Sequence, residues 1–443
     1  MKDKVLQWID DNQERGVQML QDMIRIPSIT PWFRSPPELS NEKGVQEYIA
    51  GHLTKLGAEI DIWEPDAALL TGYDGMPGYV RDRSFVDRPN LAATFKGTSS
   101  GKSLLLFGHV DVVPVASGWT KDAFAGTLED GMIFGRGAVD MKGGDAAMML
   151  AVEAIVRSGV KLKGDVIVGT VVEEETSGMG ALAFADRGYR ADGAIVTEST
   201  AMAIAPLCRG ILWGKITLRG RGGHIELPQE GWRSGGTVDG VKKARYILDQ
   251  IDRLNLDWAQ TKTHPLLRIP CQMLVGKIEA GEFPSSYADK VDIYFNAQFL
   301  PRERDEVGGG KLVQAEIEEF IRSVAELDPW LRRNPPIVEW IVNADCGETE
   351  SDHPFVQACQ SGLEQVGRGR SMEGAYFHTD MGWLERTGTP TINFGPGDPA
   401  LAHQNDERVP VRDLIDCAKA IAIIAMDWCG VEDTLDVGGA NQT

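Results

Sequence analysis

Residues 104–114 read LLLFGHVDVVP. The run is apolar enough to be buried, and its β-branched and aromatic residues favour a strand. Yet it carries His109 and Asp111. Side chains two apart on a strand share a face, so imidazole and carboxylate are expected to point the same way from a strand end. One role for such a pair is a metal-ligating histidine whose second ring nitrogen is held by a carboxylate. The other is a satisfied core histidine beside a strand-end aspartate, because a single H-x-D is common by chance.

Three further runs share this character: DVIVGTVVEEE (165–175), GAIVTES (193–199) and TPTINFGPG (389–397). Near-continuous apolar runs mark strands buried on both faces of a mostly parallel sheet. Helical stretches separate several of them, such as GDAAMMLAVEAIVRSG (144–159), and that alternation predicts an α/β layer fold. Each run ends in polar residues or glycine, at the strand ends where open α/β sheets place their ligands.

The middle of the chain has a different rhythm. ILWGKITLRG, CQMLVGKIEAG, KVDIYFNAQFL and PPIVEWIV read as strands, and TVDGVKKARYILDQIDRL and GKLVQAEIEEFIRSVAEL as helices. The order strand–helix–strand–strand–helix–strand is that of a ferredoxin-like unit. The expected organisation is a catalytic domain in two segments, residues 1–208 and 346–443, interrupted by a smaller α+β domain at 209–345. Residues 64–90, rich in Gly, Pro and Asp, read as a long surface loop, and MKDKVLQWIDDNQERGVQMLQDMI as one amphipathic helix.

More acids and one more histidine stand at loop or strand-end positions. IFGRGAVDMKGG (133–144) puts Asp140 in a glycine-rich bend before a helix. In TVVEEETSGMG (170–180) three glutamates close an apolar strand, so at least one lies near the sheet. Unpaired buried carboxylates are costly and a cation is the usual remedy; a solvated acidic turn accounts for Glu173 but poorly for all three. Glu198 ends AIVTEST and His403 lies in GPGDPALAHQNDE (395–407). His109, Asp140, Glu175, Glu198 and His403 together form a mixed nitrogen and oxygen donor set suited to zinc, cobalt or manganese. Two metals bridged by one carboxylate and one water use five such ligands, activate water and polarise a carbonyl. Glu174 is then left over, as a general base would be.

Composition bounds the reading. The 443-residue chain has a net charge of −20, which argues against nucleic acid or an anionic membrane surface as partner. No basic-then-apolar N-terminal segment and no bilayer-length apolar run is present. Six scattered cysteines without a C-x-x-C pair suit free thiols in a reducing cytoplasm.

GHVDVVP, GRGAVDMKGG, EEETSGMG, TES and AHQNDE resemble, in order, the motifs of the M20 family of co-catalytic zinc peptidases and deacylases. WTKDAFAGTLEDGMIFGRGAVDMKGG and FGPGDPALAHQNDERVPV are most similar to the acetylornithine deacetylase and succinyl-diaminopimelate desuccinylase branch. The resemblance implies a zinc-peptidase-like catalytic domain and an inserted lid that also forms a homodimer. It implies two divalent ions, zinc with cobalt or manganese as alternatives. His109, Glu175, Glu198 and His403 would be terminal ligands, with Asp140 the bridge. Asp111 would orient His109, and Glu174 would act as general base on the bridging water and later protonate the leaving amine. His224, in the RGRGGH loop, would stabilise the oxyanion, often in the neighbouring subunit's site.

The expected substrate is an N-acyl amino acid or related small carboxylated amide. Arg209, Arg268 and the turn of Gly395 and Gly397 are candidate contacts to its carboxylate, since arginine grips carboxylates with a bidentate fork. Two departures bear on that. IELPQEGWRSGGTVDGV follows His224 in place of the usual helix start, and Gln298 stands near a position where relatives often carry arginine. Alternatives are a dipeptidase or carboxypeptidase of the same mechanism, or a non-catalytic binding protein, against which the retention of Glu174 speaks. A dinucleotide site at GRGGH fails for want of a full G-x-G-x-x-G opening a helix.

Overall fold

The computed structural model describes residues 1–432. Its principal strands are β1 (Glu59–Trp63), β2 (Asn90–Phe95), β3 (Leu104–His109), β4 (Val166–Val171), β5 (Ala194–Val196), β6 (Gly210–Arg219), β7 (Met273–Ala280), β8 (Lys290–Phe299), β9 (Ile337–Ala344) and β10 (Thr391–Asn393). The largest sheet runs β1-β2-β4-β3-β5-β10. β3 lies parallel to β4 and β5, and β10 parallel to β5, while β1, β2 and β4 pair antiparallel. The result is a mixed, mostly parallel sheet. Every residue of β3 and β4 is buried, because helices cover the sheet. One of them, Lys142–Arg157, is buried from Lys142 through Ile155, including the charged Lys142, Asp145 and Glu153.

β6 to β9 form a second sheet, antiparallel throughout, in the order β7-β8-β6-β9. Helices Gly240–Thr261 and Lys311–Glu326 alternate with its strands in the strand–helix–strand–strand–helix–strand order. Asp239 starts the first helix by accepting from the amides of Val241 and Lys242. Ile247, Ile251, Leu254 and Trp258 then recur on its buried face. Along β6 and β8 burial alternates: Leu212, Phe295, Ala297 and Phe299 are buried, and Ile211, Trp213, Asn296 and Gln298 between them are only half-buried. The half-buried set looks across a cavity at the ends of β3, β4 and β5.

Two local expectations need correction. The N-terminal stretch is two helices, Lys2–Asp11 and Gln13–Ile24. The break falls at Asn12, whose side-chain amide donates to the Trp8 carbonyl, a local bond that competes with helix continuation. Residues 64–90 are tied down at several points: Phe85, Arg88 and Asn90 are buried, and the amide of Gly78 donates to the carbonyl of Asn343 on β9 at 2.8 Å.

Candidate metal centre and active site

Because β3, β4 and β5 are parallel, their C-terminal ends open on one edge of the sheet. His109 ends β3, Glu173–Glu175 form the turn after β4, and Glu198 lies just beyond β5. Asp140 enters from the loop before helix Lys142–Arg157, and His403 from the segment after the short turn Pro399–Leu401.

Asp140 sits in the middle of the group. Its Oδ1 lies 3.2 Å from His109 Nε2, which is itself 3.3 Å from Glu198 Oε1. Its Oδ2 lies 3.1 Å from His403 Nε2, which is 3.1 Å from Glu175 Oε2. The two carboxylate oxygens thus face two different histidine–glutamate pairs. Glu174 stands beside the first pair, 3.7 Å from His109 Nε2.

The backbone beneath these side chains is held by other acids. Glu407 is fully buried and accepts from Arg136 Nη1 at 2.6 Å and from the amides of Gly137, Val139 and Asp140. It therefore clamps the loop that presents Asp140. Asp111 receives the amides of Glu174 and Glu175, both at 3.2 Å. Its own carbonyl, rather than its carboxylate, is the nearer partner of His109 Nδ1, at 2.9 Å against 3.5 Å. So β3 ends at His109, Asp111 lies past the strand, and its carboxylate anchors the glutamate turn more directly than the imidazole.

Glu173 is fully buried, not a solvated turn residue. Arg83 reaches it at 2.7 Å and Arg88 at 2.6 Å, and Arg88 also bonds the buried Glu42. Its φ of +72° is a left-handed backbone that a non-glycine residue adopts only when its surroundings hold it there. Two arginines from residues 64–90 thereby brace the turn that carries Glu174 and Glu175. The sequence signal was the arginine pair in a stretch that composition marks as surface.

The electrostatics call for cations. Burial raises Glu174 well above the usual carboxylate range, with Asp380, Glu198 and Glu175 adding to it. Burial, then Asp140, brings Glu198 up to about 7. The Glu175 carboxylate pushes His403 up to about 12. Burial opposes ionisation of Asp140, but His109 and His403 outweigh it and hold its carboxyl far below the usual range. Glu175 Oε1 and both oxygens of Asp380 are buried without a hydrogen-bond partner. Unpaired buried carboxylates are expensive, and imidazole nitrogens with carboxylate oxygens suit zinc, cobalt or manganese; the residues fit divalent ions.

Two further residues, His378 and Asp380, join the group. His378 lines the cavity, with Nδ1 2.9 Å from the Asp345 carbonyl and Nε2 3.9 Å from Glu174. Asp380 approaches both His378 and Glu174. The dipeptide Thr379–Asp380 ahead of helix Met381–Arg386 was their visible signal.

Other candidates lie elsewhere. His224 is exposed on its loop, where its Nδ1 accepts from the Glu226 amide, and it lines no part of the cavity. Arg209 is buried behind the cavity wall, donating to Gln298 Oε1 at 3.1 Å and to the Ile269 carbonyl. Arg268 is exposed and paired with Glu373. Gly395 and Gly397 do not line the cavity either. A Cβ on Gly395 would come within 2.4 Å of the Glu198 carbonyl oxygen, and Gly397 has φ +85°. Both positions are glycine for close packing beneath Glu198 and for the turn.

Residues 105–427 match the description Peptidase family M20/M25/M40. N-formyl-4-amino-5-aminomethyl-2-methylpyrimidine deformylase of Bacillus subtilis is 30% identical, over 95% of this chain and 96% of that protein. Acetylornithine deacetylase of Myxococcus xanthus is 27% identical, over 79% of this chain and 86% of that one. Among solved structures, the di-peptidase Dug1p from Saccharomyces cerevisiae superposes with a TM-score of 0.74 at 14% identity, over 97% of this chain and 98% of that one. The chain belongs to peptidase family M20/M25/M40. It is a metal-dependent hydrolase of amide bonds.

Proposed function

We propose that the protein is a deacylase using two divalent metal ions, zinc with cobalt or manganese as alternatives, to release an amine from a small N-acyl amide. The observation that carries this reading is Asp140, whose two oxygens each face a separate histidine–glutamate pair. His109 and Glu198 would hold one ion, His403 and Glu175 the other, and Asp140 both. When bound, such ions activate water and polarise the scissile carbonyl. Glu174 takes the proton from the attacking water at its carboxylate and returns it to the nitrogen of the departing amine. Burial, which raises its pKa, suits a group that must both accept and give a proton near neutral pH. The relatives named a deformylase and a deacetylase support a small acyl group.

The proposed division is a catalytic domain of residues 1–208 and 346–443 with a lid at 209–345 through which two copies pair. His224, off the cavity of its own chain, would reach the substrate oxygen from the second copy. A donor placed where an oxyanion develops contributes about 3–4 kcal/mol. Mixing His224→Ala with Glu174→Gln should then restore activity that neither variant has alone. Among the described residues no helix is long and apolar enough to cross a membrane. The six cysteines are buried and free, and a cytoplasmic location is part of the proposal.

The test is amine release from N-formyl and N-acetyl amides by zinc- or cobalt-loaded enzyme, with metal content measured and Glu174→Gln as blank. Release by the wild type alone is expected. Full metal loading with no release from any small amide would overturn the deacylase reading.

A further inference from the structure

Glu174 has two oxygens and two histidine neighbours. Its Oε2 lies 3.7 Å from His109 Nε2, and its Oε1 lies 3.9 Å from His378 Nε2. The first histidine belongs to the cluster around Asp140. The second belongs to a separate group of three: one ligand atom each from Glu174, His378 and Asp380 lies within 4.8 Å of the other two. Glu174 also lines the cavity, so an ion can reach this group from solvent.

The atoms that meet there lack partners. Both oxygens of Asp380 and Nε2 of His378 are buried without a hydrogen bond, and Asp380 is 2% exposed. A Cβ on Gly178 would meet Asp380 Oδ1 at 3.4 Å and His378 Nε2 at 3.7 Å, so these two atoms converge over one backbone position. His378 is oriented as a metal ligand is. Its Nδ1 donates to the Asp345 carbonyl at 2.9 Å, which leaves the lone pair of the neutral ring on Nε2. Burial pushes this imidazole down to about 4, so the ring is neutral near pH 7. Burial raises Asp380 well above the usual carboxylate range, and Asp111, Asp345 and Glu198 add to it against His109. A buried carboxylate among other carboxylates calls for a cation.

We propose that Glu174, His378 and Asp380 form a third site for a divalent transition-metal ion, and that filling it removes Glu174 from proton transfer and stops turnover. The inhibition rests on the deacylase reading for the role of Glu174; the site itself does not. One imidazole and two carboxylates suit zinc or cobalt better than magnesium or calcium, which take oxygen ligands. The third ion is the weakest held, because like charges at the other two positions repel it. The metal that serves the enzyme at low concentration therefore inhibits it in excess.

Zinc or cobalt titrated into the two-ion enzyme tests it. Equilibrium dialysis with metal analysis should count three ions per wild-type chain, and two in His378→Phe and in Asp380→Asn. Amine release should peak at two ions and fall by about a hundredfold or more as the third binds, as for loss of the base. Magnesium at the same concentrations should not inhibit. The zinc concentration for half-inhibition should rise by about tenfold or more in the milder His378→Gln, since even losing a ligand's hydrogen-bond partner costs that much in affinity. Two ions per wild-type chain at saturating zinc overturn the proposal, a result that needs no variant to fold. So does a third ion held equally well by both variants, which is adventitious surface binding, and so does a third ion that leaves turnover unchanged. The ions are counted without substrate. Three in the wild type against two in the variants therefore supports the site even where no amide is cleaved, an outcome that overturns only the deacylase reading.

Discussion

The two walls of the cavity are opposites. The wall at the ends of β3, β4 and β5 concentrates Asp140, Glu174, Glu175, Glu198 and two histidines within a few ångströms. The wall on β6 and β8 presents a tryptophan, an isoleucine and two neutral amides. The first is charged, is braced from beneath by Glu407, Asp111 and the Arg83–Arg88 pair, and offers a donor set that suits cations. The second is uncharged. In the proposed reading the difference separates two tasks on one surface: strand-end acids would supply the chemistry, and the cross-strand pairs on the other sheet would shape the space left for the substrate.

The comparison can be broken hardest at its centre. Asp140→Ala should lose bound metal and all measurable turnover, as metal analysis beside an amine-release assay would show; full loading with two ions would contradict the shared role of Asp140. Glu174→Gln should keep both ions and the melting temperature but lose about 10²–10⁴-fold in kcat, the usual worth of a positioned acid–base group. Arg88→Met leaves Glu42 and Glu173 buried with fewer partners, and breaking a buried pair costs about 3–5 kcal/mol. Its denaturant midpoint should fall accordingly, and the melting transition with it. On the uncharged wall, Trp213→Ala should raise KM about tenfold with little change in kcat, one lost aromatic contact. The smallest effect belongs to Arg268→Ala. Its side chain is 78% exposed beside Glu373, so kcat/KM should stay within about twofold, as for most surface pairs.

The charged wall was largely legible in the sequence because its residues stand at the ends of apolar runs, where a buried acid is conspicuous. His109, Glu198 and the glutamate turn were visible as interruptions of strand patterns. Glu407 and the Arg83–Glu173 contact were not, since their partners lie 267–271 and 90 residues away in the chain. Arg209 misled for a related reason. A lone arginine near a site suggests a carboxylate grip, but its guanidinium is spent on the Ile269 carbonyl and Gln298.

By itself, then, the sequence determined the four buried strands of a mostly parallel sheet, the strand–helix–strand–strand–helix–strand order of the middle segment and the acids and histidines that gather at the strand ends, because hydrophobic periodicity and motif spacing are local properties of the chain. Only the tertiary structure decided which oxygen of Asp140 faces which histidine, how Glu173 is neutralised, and that the wall opposite carries no charge. Those are properties of side chains brought together by sheet register and loop packing. Pairing Asn296 with Trp213 and Gln298 with Ile211 is a choice made between strands about 80 residues apart, and no periodicity within either strand records it.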